Sequence, residues 1–262
     1  MIKLRYSLAT ILAVCLSLAA VPAVAQTKPK PYEPQSGQEG KDVVWVPTPQ
    51  VTVEAMLDLA KVTPQDVVMD LGSGDGRTVI TAAKRGATGI GVEFNPDMVE
   101  LSKQRAQEAG VTSKVTFIKG DLFEADLTKA TVITMFLLPR INLQLRPKIL
   151  DLKPGTRIVS NSFTMEDWEA DDTTTISENC PSWCTALLWI VPAKVQGAWT
   201  SSQGDIQLEQ KFQMVTGTFQ GKPITDGRLR GDQLTLTVGN TKHTAKVNGN
   251  TLQGNGWTAT KK

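Results

Sequence analysis

The chain has 262 residues, 40% of them hydrophobic and 21% charged, enough to bury a sizeable core, which excludes disorder as its ground state. Its 28 Lys and Arg stand against 26 Asp and Glu, a balance that excludes a strongly basic chain overall, and nothing in it favours nucleic acid or an anionic membrane as partner. The lone histidine, His243, lies far in sequence from Cys180 and Cys184, which argues against a metal centre.

The first 25 residues stand apart. Lys3 and Arg5 precede an apolar run from Leu8 to Ala20, and Ala23-Val24-Ala25 supplies a small-x-small site before Gln26. This layout predicts a secretory signal cleaved after Ala25, hence a periplasmic or secreted protein that keeps no membrane span. The run is short and alanine-rich for an uncleaved anchor, and Cys15 sits inside it rather than at its end, against a lipoprotein signal. Cleavage removes Lys3 and Arg5 and leaves basic and acidic side chains equal in number. Residues 26–42 are polar and proline-rich, a flexible leader.

From residue 43 to about 196 the pattern is that of an α/β domain. Val53, Met56, Leu57 and Ala60 recur at helical spacing within residues 51–61. Residues 67–70 form a short apolar strand, and residues 78–85 a helix stopped by Gly86. Residues 89–93 are the second strand; Asn95 then caps a helix with Pro96 at its first position, and Gly110 ends it. Residues 114–118, 131–138 and 156–160 supply three more strands. Alternating strands and helices predict a mostly parallel sheet joined by right-handed crossovers. Residues 173–178 and 185–191 read as a hairpin whose turn is bracketed by Cys180 and Cys184. An exported chain pairs two such close cysteines, the five-residue loop contributing about 2 kcal/mol through chain entropy; two free thiols are the alternative.

Residues 197–262 carry short alternating runs, such as 206–210, 233–238 and 243–247, between Gly, Asn and Asp turns. They predict a small antiparallel meander or an incomplete barrel, with Trp199 and Trp257 closing its core. No acid cluster suits calcium there, and no aromatic ladder suits sugars or bases.

The chemistry concentrates in Asp70-Leu-Gly72-Ser73-Gly74-Asp-Gly76, directly after the first strand. A dinucleotide turn needs G-x-G-x-x-G, but the residue three after Gly74 is Arg77. The pattern suits instead a nucleotide-like cofactor without a pyrophosphate, approached closely by a backbone free of side chains. Asp70 would accept hydrogen bonds from the ligand's ammonium. Glu93 ends the second strand, where it would take ribose hydroxyls through bonds worth roughly 1.5–3 kcal/mol each. Asp121 ends the third, where it would accept the base's amino group with Leu122 against the ring. Singly, each acid reads equally as a helix cap or a solvated loop residue; in order, at successive strand ends, they point to one ligand.

Further pieces are Trp45-Val-Pro-Thr-Pro49, Gly91-Val-Glu-Phe-Asn-Pro96, Gly120-Asp-Leu-Phe123, Phe136-Leu-Leu-Pro139, Gly155-Thr-Arg-Ile-Val-Ser160 and Trp168. With the glycine turn, they make residues 43–168 resemble a class I S-adenosylmethionine-dependent methyltransferase. Within that class they are similar to the small prokaryotic relatives of the ATP synthase c-subunit lysine N-methyltransferases. The resemblance implies a Rossmann-like methyltransferase sandwich in which Asp70, Gly72, Ser73, Gly74, Gly76, Glu93, Phe94, Asp121 and Leu122 hold S-adenosylmethionine. It implies that Thr48 closes over the cofactor's amino-acid end. It places the acceptor beside the fourth strand, with Phe136 and Pro139 as walls for an apolar lysine stem, while Leu137 and Leu138 read equally as core. Trp168 either lines the same mouth or covers the sheet edge. No catalytic acid or base is assigned. The expected activity is methyl transfer to a protein lysine, with the signal directing it to an envelope or membrane protein. The alternative is a catalytically silent cofactor-binding or envelope interaction protein that keeps the fold.

Overall fold

The computed structural model describes Met1, Ile2 and residues 32–262. The predicted signal's apolar run, its cleavage site and the first part of the leader lie outside the described residues. Residues Glu33–Lys262 form one compact unit holding two sheets.

The first sheet uses β1 (Val67–Leu71), β2 (Thr88–Glu93), β3 (Val115–Lys119), β4 (Val132–Met135), β5 (Arg157–Asn161), β6 (Asp172–Thr175) and β7 (Thr185–Ile190). Its order is β3-β2-β1-β4-β5-β7-β6, parallel from β3 to β5 and antiparallel at β7 and β6. The helices are α1 (Gln50–Leu59), α2 (Arg77–Lys84), α3 (Pro96–Glu108) and α4 (Pro139–Leu150). Successive strand residues point to opposite faces. Val68 and Val132 therefore pack with Val53 and Leu57 of α1, while Met69 and Ile133 pack with Ile141 and Leu145 of α4. β4 ends at Met135, short of the predicted Leu138, because its partner β1 ends opposite it at Leu71 and turns away at Gly72; Pro139 then opens α4. The chain leaves β1 first toward β2 and β3 and later toward β4 and β5, so a crevice opens at the carboxyl ends of β1 and β4.

The second sheet is a closed barrel. Its strands are β8 (Gly197–Ser201), β9 (Gly204–Lys211), β10 (Met214–Phe219), β11 (Lys222–Pro223), β12 (Gly227–Arg230), β13 (Gln233–Val238), β14 (Thr241–Asn248), β15 (Thr251–Gly254) and β16 (Trp257–Lys261). β10 pairs with both β9 and β12, and the ring closes because the last strand, β16, pairs with the first, β8. The two-residue β11 only pairs antiparallel with the end of β10. An open meander would leave two edges of unpaired backbone; closure removes them. Trp199, Phe219, Trp257 and aliphatic side chains fill the interior.

The barrel rests on the first sheet through Phe212. Its ring stacks on Trp168 at 5.7 Å between centroids, with the Arg146 guanidinium 5.1 Å above it. Buried Gln213 donates to the Glu169 carbonyl at 2.8 Å, and Arg228 pairs with the buried Asp171 at 2.7 Å. Among the described residues, no helix is long and apolar enough to cross a membrane.

Candidate active site

The crevice is lined by the ends of β1, β2 and β4, by the Gly120–Leu122 turn after β3, and by a strap of residues 38–48 that precedes α1. The strap, predicted to lie partly in a flexible leader, is folded back on itself: Gly37 N–H donates to the Trp45 carbonyl at 2.7 Å and Trp45 N–H to the Gln38 carbonyl at 2.9 Å.

The glycine turn is built from β1 outward. Gly72 and Ser73 N–H groups both donate to the Val92 carbonyl, at 2.9 and 3.0 Å, which bends the chain over β2. Gly74 has φ +52°, and a Cβ there would lie 2.4 Å from the Trp45 indole nitrogen. Gly76, at φ +78°, opens α2, and its Cβ would strike Ser102 and Phe117 at 2.8 and 2.9 Å. Gly74 is therefore glycine for the approach of the strap, and Gly76 for helix packing; Gly76 does not line the crevice.

Asp70 is 7% exposed and accepts a hydrogen bond from the Thr134 hydroxyl at 2.6 Å. Burial pushes its carboxyl up to about 7; the Thr134 and Thr78 hydroxyls oppose this, and Asp75 and Glu93 add to it. Its named partners are hydroxyls, not cations, so an ammonium placed beside it would restore the carboxylate. Glu93 accepts Gly74 N–H at 2.9 Å on one oxygen and Asn95 N–H at 2.8 Å on the other. Each carboxylate oxygen accepts two bonds, so capacity for ribose hydroxyls remains. Asp121 is held below the usual carboxylate range by a hydrogen bond from Lys41 and then by Phe123 N–H. The carboxylate expected to accept the base's amino group is therefore shared with the strap, and Lys41 also sits 5.2 Å above the Phe94 ring. Ser73 and Leu122 line the crevice, and the Ser73 hydroxyl is buried without a partner among the described residues.

Three residues unassigned at the sequence level, Asp75, Arg77 and Arg105, brace this turn. Burial acts to raise the pKa of Asp75, but the Arg77 and Arg105 guanidinium groups outweigh it and hold the carboxyl below its ordinary value. Arg77 also donates to the Thr48 carbonyl at 2.9 Å, fastening the strap to the glycine loop. Buried Thr48 lines the crevice, its hydroxyl 3.4 Å from the Asn161 amide. The alternation of acid and arginine in Asp75-Gly-Arg77 is the signal that could have shown the brace.

The acceptor-side candidates separate. Phe136 and Leu137 line the crevice. Pro139 is instead the first residue of α4, where its ring sets the helix entry and does not reach the crevice. Trp168 does not line the mouth either: it is fully buried against Trp189 and Phe212, because the barrel docks over it.

The cradle fits S-adenosylmethionine. A buried acid awaits an ammonium, a second acid at the next strand end has spare acceptor capacity, a buried hydroxyl lacks a partner among the described residues, and Gly72, at φ +73° in the crevice wall, leaves room for close approach. Fold and site together define an S-adenosylmethionine-dependent methyltransferase.

Comparison with known proteins agrees. A model of the ANTKMT methyltransferase domain matches residues 70–172. A protein-lysine N-methyltransferase of Saccharolobus islandicus (strain REY15A) is 46% identical over 129 residues, covering 48% of this chain and 80% of that protein. The ATP synthase c-subunit lysine N-methyltransferase of Mus musculus is 38% identical over 108 residues, 41% of this chain but only 44% of the mouse protein. The crystal structure of an RNA methyltransferase from Salinibacter ruber in complex with S-adenosyl-L-homocysteine has 46% identity and a TM-score of 0.54, over 57% of this chain and 96% of that one. The chain belongs to the S-adenosylmethionine-dependent methyltransferase family that these proteins share. The barrel lies beyond the residues matched by the domain model.

Proposed function

We propose that the protein transfers a methyl group to a lysine side chain of a protein in the cell envelope. The observation that carries this reading is the junction of the cofactor cradle with an apolar wall, Phe136 and Leu137, that brings no ionisable group. When bound, S-adenosylmethionine supplies a methyl group on a positively charged sulfur, a leaving group that needs no acid catalyst. The chain's own tasks are alignment and exclusion of water. Asp70 and Glu93 orient the cofactor's amino-acid end and its ribose, and the strap covers it. The wall desolvates an incoming amine, which lowers its pKa and favours the neutral nucleophile. The names of the archaeal and mouse relatives support lysine as acceptor. The name of the Salinibacter neighbour favours RNA as a second reading, against which stands the near-equality of acidic and basic side chains. The envelope location rests on the signal-like pattern of residues 1–25.

The test is transfer of labelled methyl from S-adenosylmethionine to envelope extract and, separately, to total RNA. Label on lysine of an envelope protein is expected, with a mature N-terminus at Gln26. Label confined to RNA would overturn the lysine reading. Cofactor binding with no label anywhere would leave the silent binding protein. A mature cytoplasmic protein with its N-terminus intact would overturn the location.

A further inference from the structure

Cys180 and Cys184 are joined, with Cα atoms 5.8 Å apart, and the loop they close presents Trp183 beside the crevice. This loop lies outside the residues matched by the family's domain model. Trp183 packs its ring edge-on to Phe136 at 5.4 Å and tilted against Phe163 at 5.6 Å; Phe136 and Phe163 stack at 5.8 Å. Phe136 itself lines the crevice, so the three rings continue the acceptor-side wall outward. Trp183 nevertheless stays 40% exposed.

Its position is imposed by several independent contacts. The Thr52 hydroxyl of α1 donates to the Trp183 carbonyl at 3.0 Å, a few residues from the crevice-lining Thr48 and Met56. Ile176 N–H donates to the Cys184 carbonyl at 2.8 Å, tying the loop to the β6–β7 hairpin. The Asn142 amide of α4 donates to the Thr164 carbonyl at 3.1 Å and anchors the segment bearing Phe163. Trp183 has φ +59°, a conformation a large side chain keeps only where its surroundings over-determine it, and such positions cluster at ligand clamps.

We infer that Trp183 is the outer wall of the acceptor entrance and a specificity-determining residue: it receives the charged lysine side chain of the acceptor on its exposed ring and passes the stem along Phe136 toward the cofactor. Indole is the strongest aromatic partner for an ammonium, and Phe136 supplies apolar surface for the methylene stem. The disulfide's role is then to position this ring rather than to react. The inference rests on the proposed lysine transfer.

The test uses the full chain saturated with S-adenosylhomocysteine and labelled with 5-fluorotryptophan, the Trp183 signal being identified by its loss in Trp183→Phe. Titration with Nα-acetyl-lysine methylamide should shift the Trp183 fluorine resonance, and the norleucine analogue should shift it far less. Trp183→Ala should keep wild-type affinity for S-adenosylhomocysteine but lose about tenfold in kcat/KM for lysine labelling, with Trp183→Phe recovering most of the loss. Cys180→Ser/Cys184→Ser, if its Tm and S-adenosylhomocysteine affinity are kept, should behave like Trp183→Ala. A resonance unmoved by the lysine amide, or wild-type labelling by Trp183→Ala, overturns the inference. Failure of the wild-type protein to label any lysine overturns the proposed function instead, and the fluorine titration still decides whether Trp183 receives a lysine side chain.

Discussion

Asp70 is the residue whose charge depends most on what sits beside it. Its carboxyl titrates at about 7 in the folded protein, so near neutrality the proton is shared between two populations. A cation in the cradle favours the carboxylate, so affinity for S-adenosylmethionine should rise as pH climbs through about 7 and level off above, as calorimetric titration across that range will show. Stability runs the other way. An unfolded aspartate titrates near 3.8, so the folded protein binds the proton more tightly, and the stability of the free protein falls as pH rises from there to about 7. Asp70→Asn should therefore stabilise the free protein at alkaline pH, as a higher midpoint in denaturant melts, while abolishing stabilisation by the cofactor. Glu93 differs because it is structural as well as ligand-facing. Glu93→Ala strands the Gly74 and Asn95 N–H groups, each costing about 1–3 kcal/mol if left dry, and should lower both Tm and cofactor affinity.

At the scale of elements, the strap and the glycine loop act as one clamp. Arg77 links Asp75, part of the loop, to the Thr48 carbonyl, and Lys41 reaches Asp121 on the turn after β3. Arg77→Met should release the strap, speed proteolytic cleavage within residues 38–48, and weaken S-adenosylmethionine binding about tenfold. Asp75 carries the acid side of this brace. Its carboxyl is held below the ordinary value, so the stability it contributes is present above the unfolded value near 3.8 and is lost as pH falls through its lowered folded value. A drop of Tm on the acid side that is smaller in Asp75→Asn than in the wild type will check the sign.

At the scale of the whole molecule, the barrel is docked on the side of the sheet that carries Trp168, and the crevice draws on none of its residues. Phe212→Ala removes the ring that bridges Trp168 and Arg146 and should cost about 2 kcal/mol in thermal or denaturant unfolding. Cofactor affinity should stay within about twofold of wild type, because the junction and the cradle share no side chain.

Much of this molecule was legible in the chain itself because the signals are local. Strand-to-glycine turns, a capping Asn95 with Pro96 behind it, and alternating runs between Gly and Asn turns each follow from the preferences of a few neighbouring residues. They determined the α/β domain, the cofactor turn with Asp70 and Glu93 at successive strand ends, and the antiparallel character of the last third. Tertiary structure decided what depends on residues distant in sequence. Barrel closure needs β8 and β16 to meet, which no local pattern encodes. Trp168 reads as either a mouth residue or a cover for the sheet edge until the barrel packs over it, and Asp121 reads as free until Lys41, 80 residues earlier, reaches it. The aromatic wall is the plainest case: Phe136 is expected there, but Phe163 and Trp183 are ordinary hydrophobic residues in sequence, and only the fold, with the disulfide and Thr52, sets their rings against Phe136 beside the cradle.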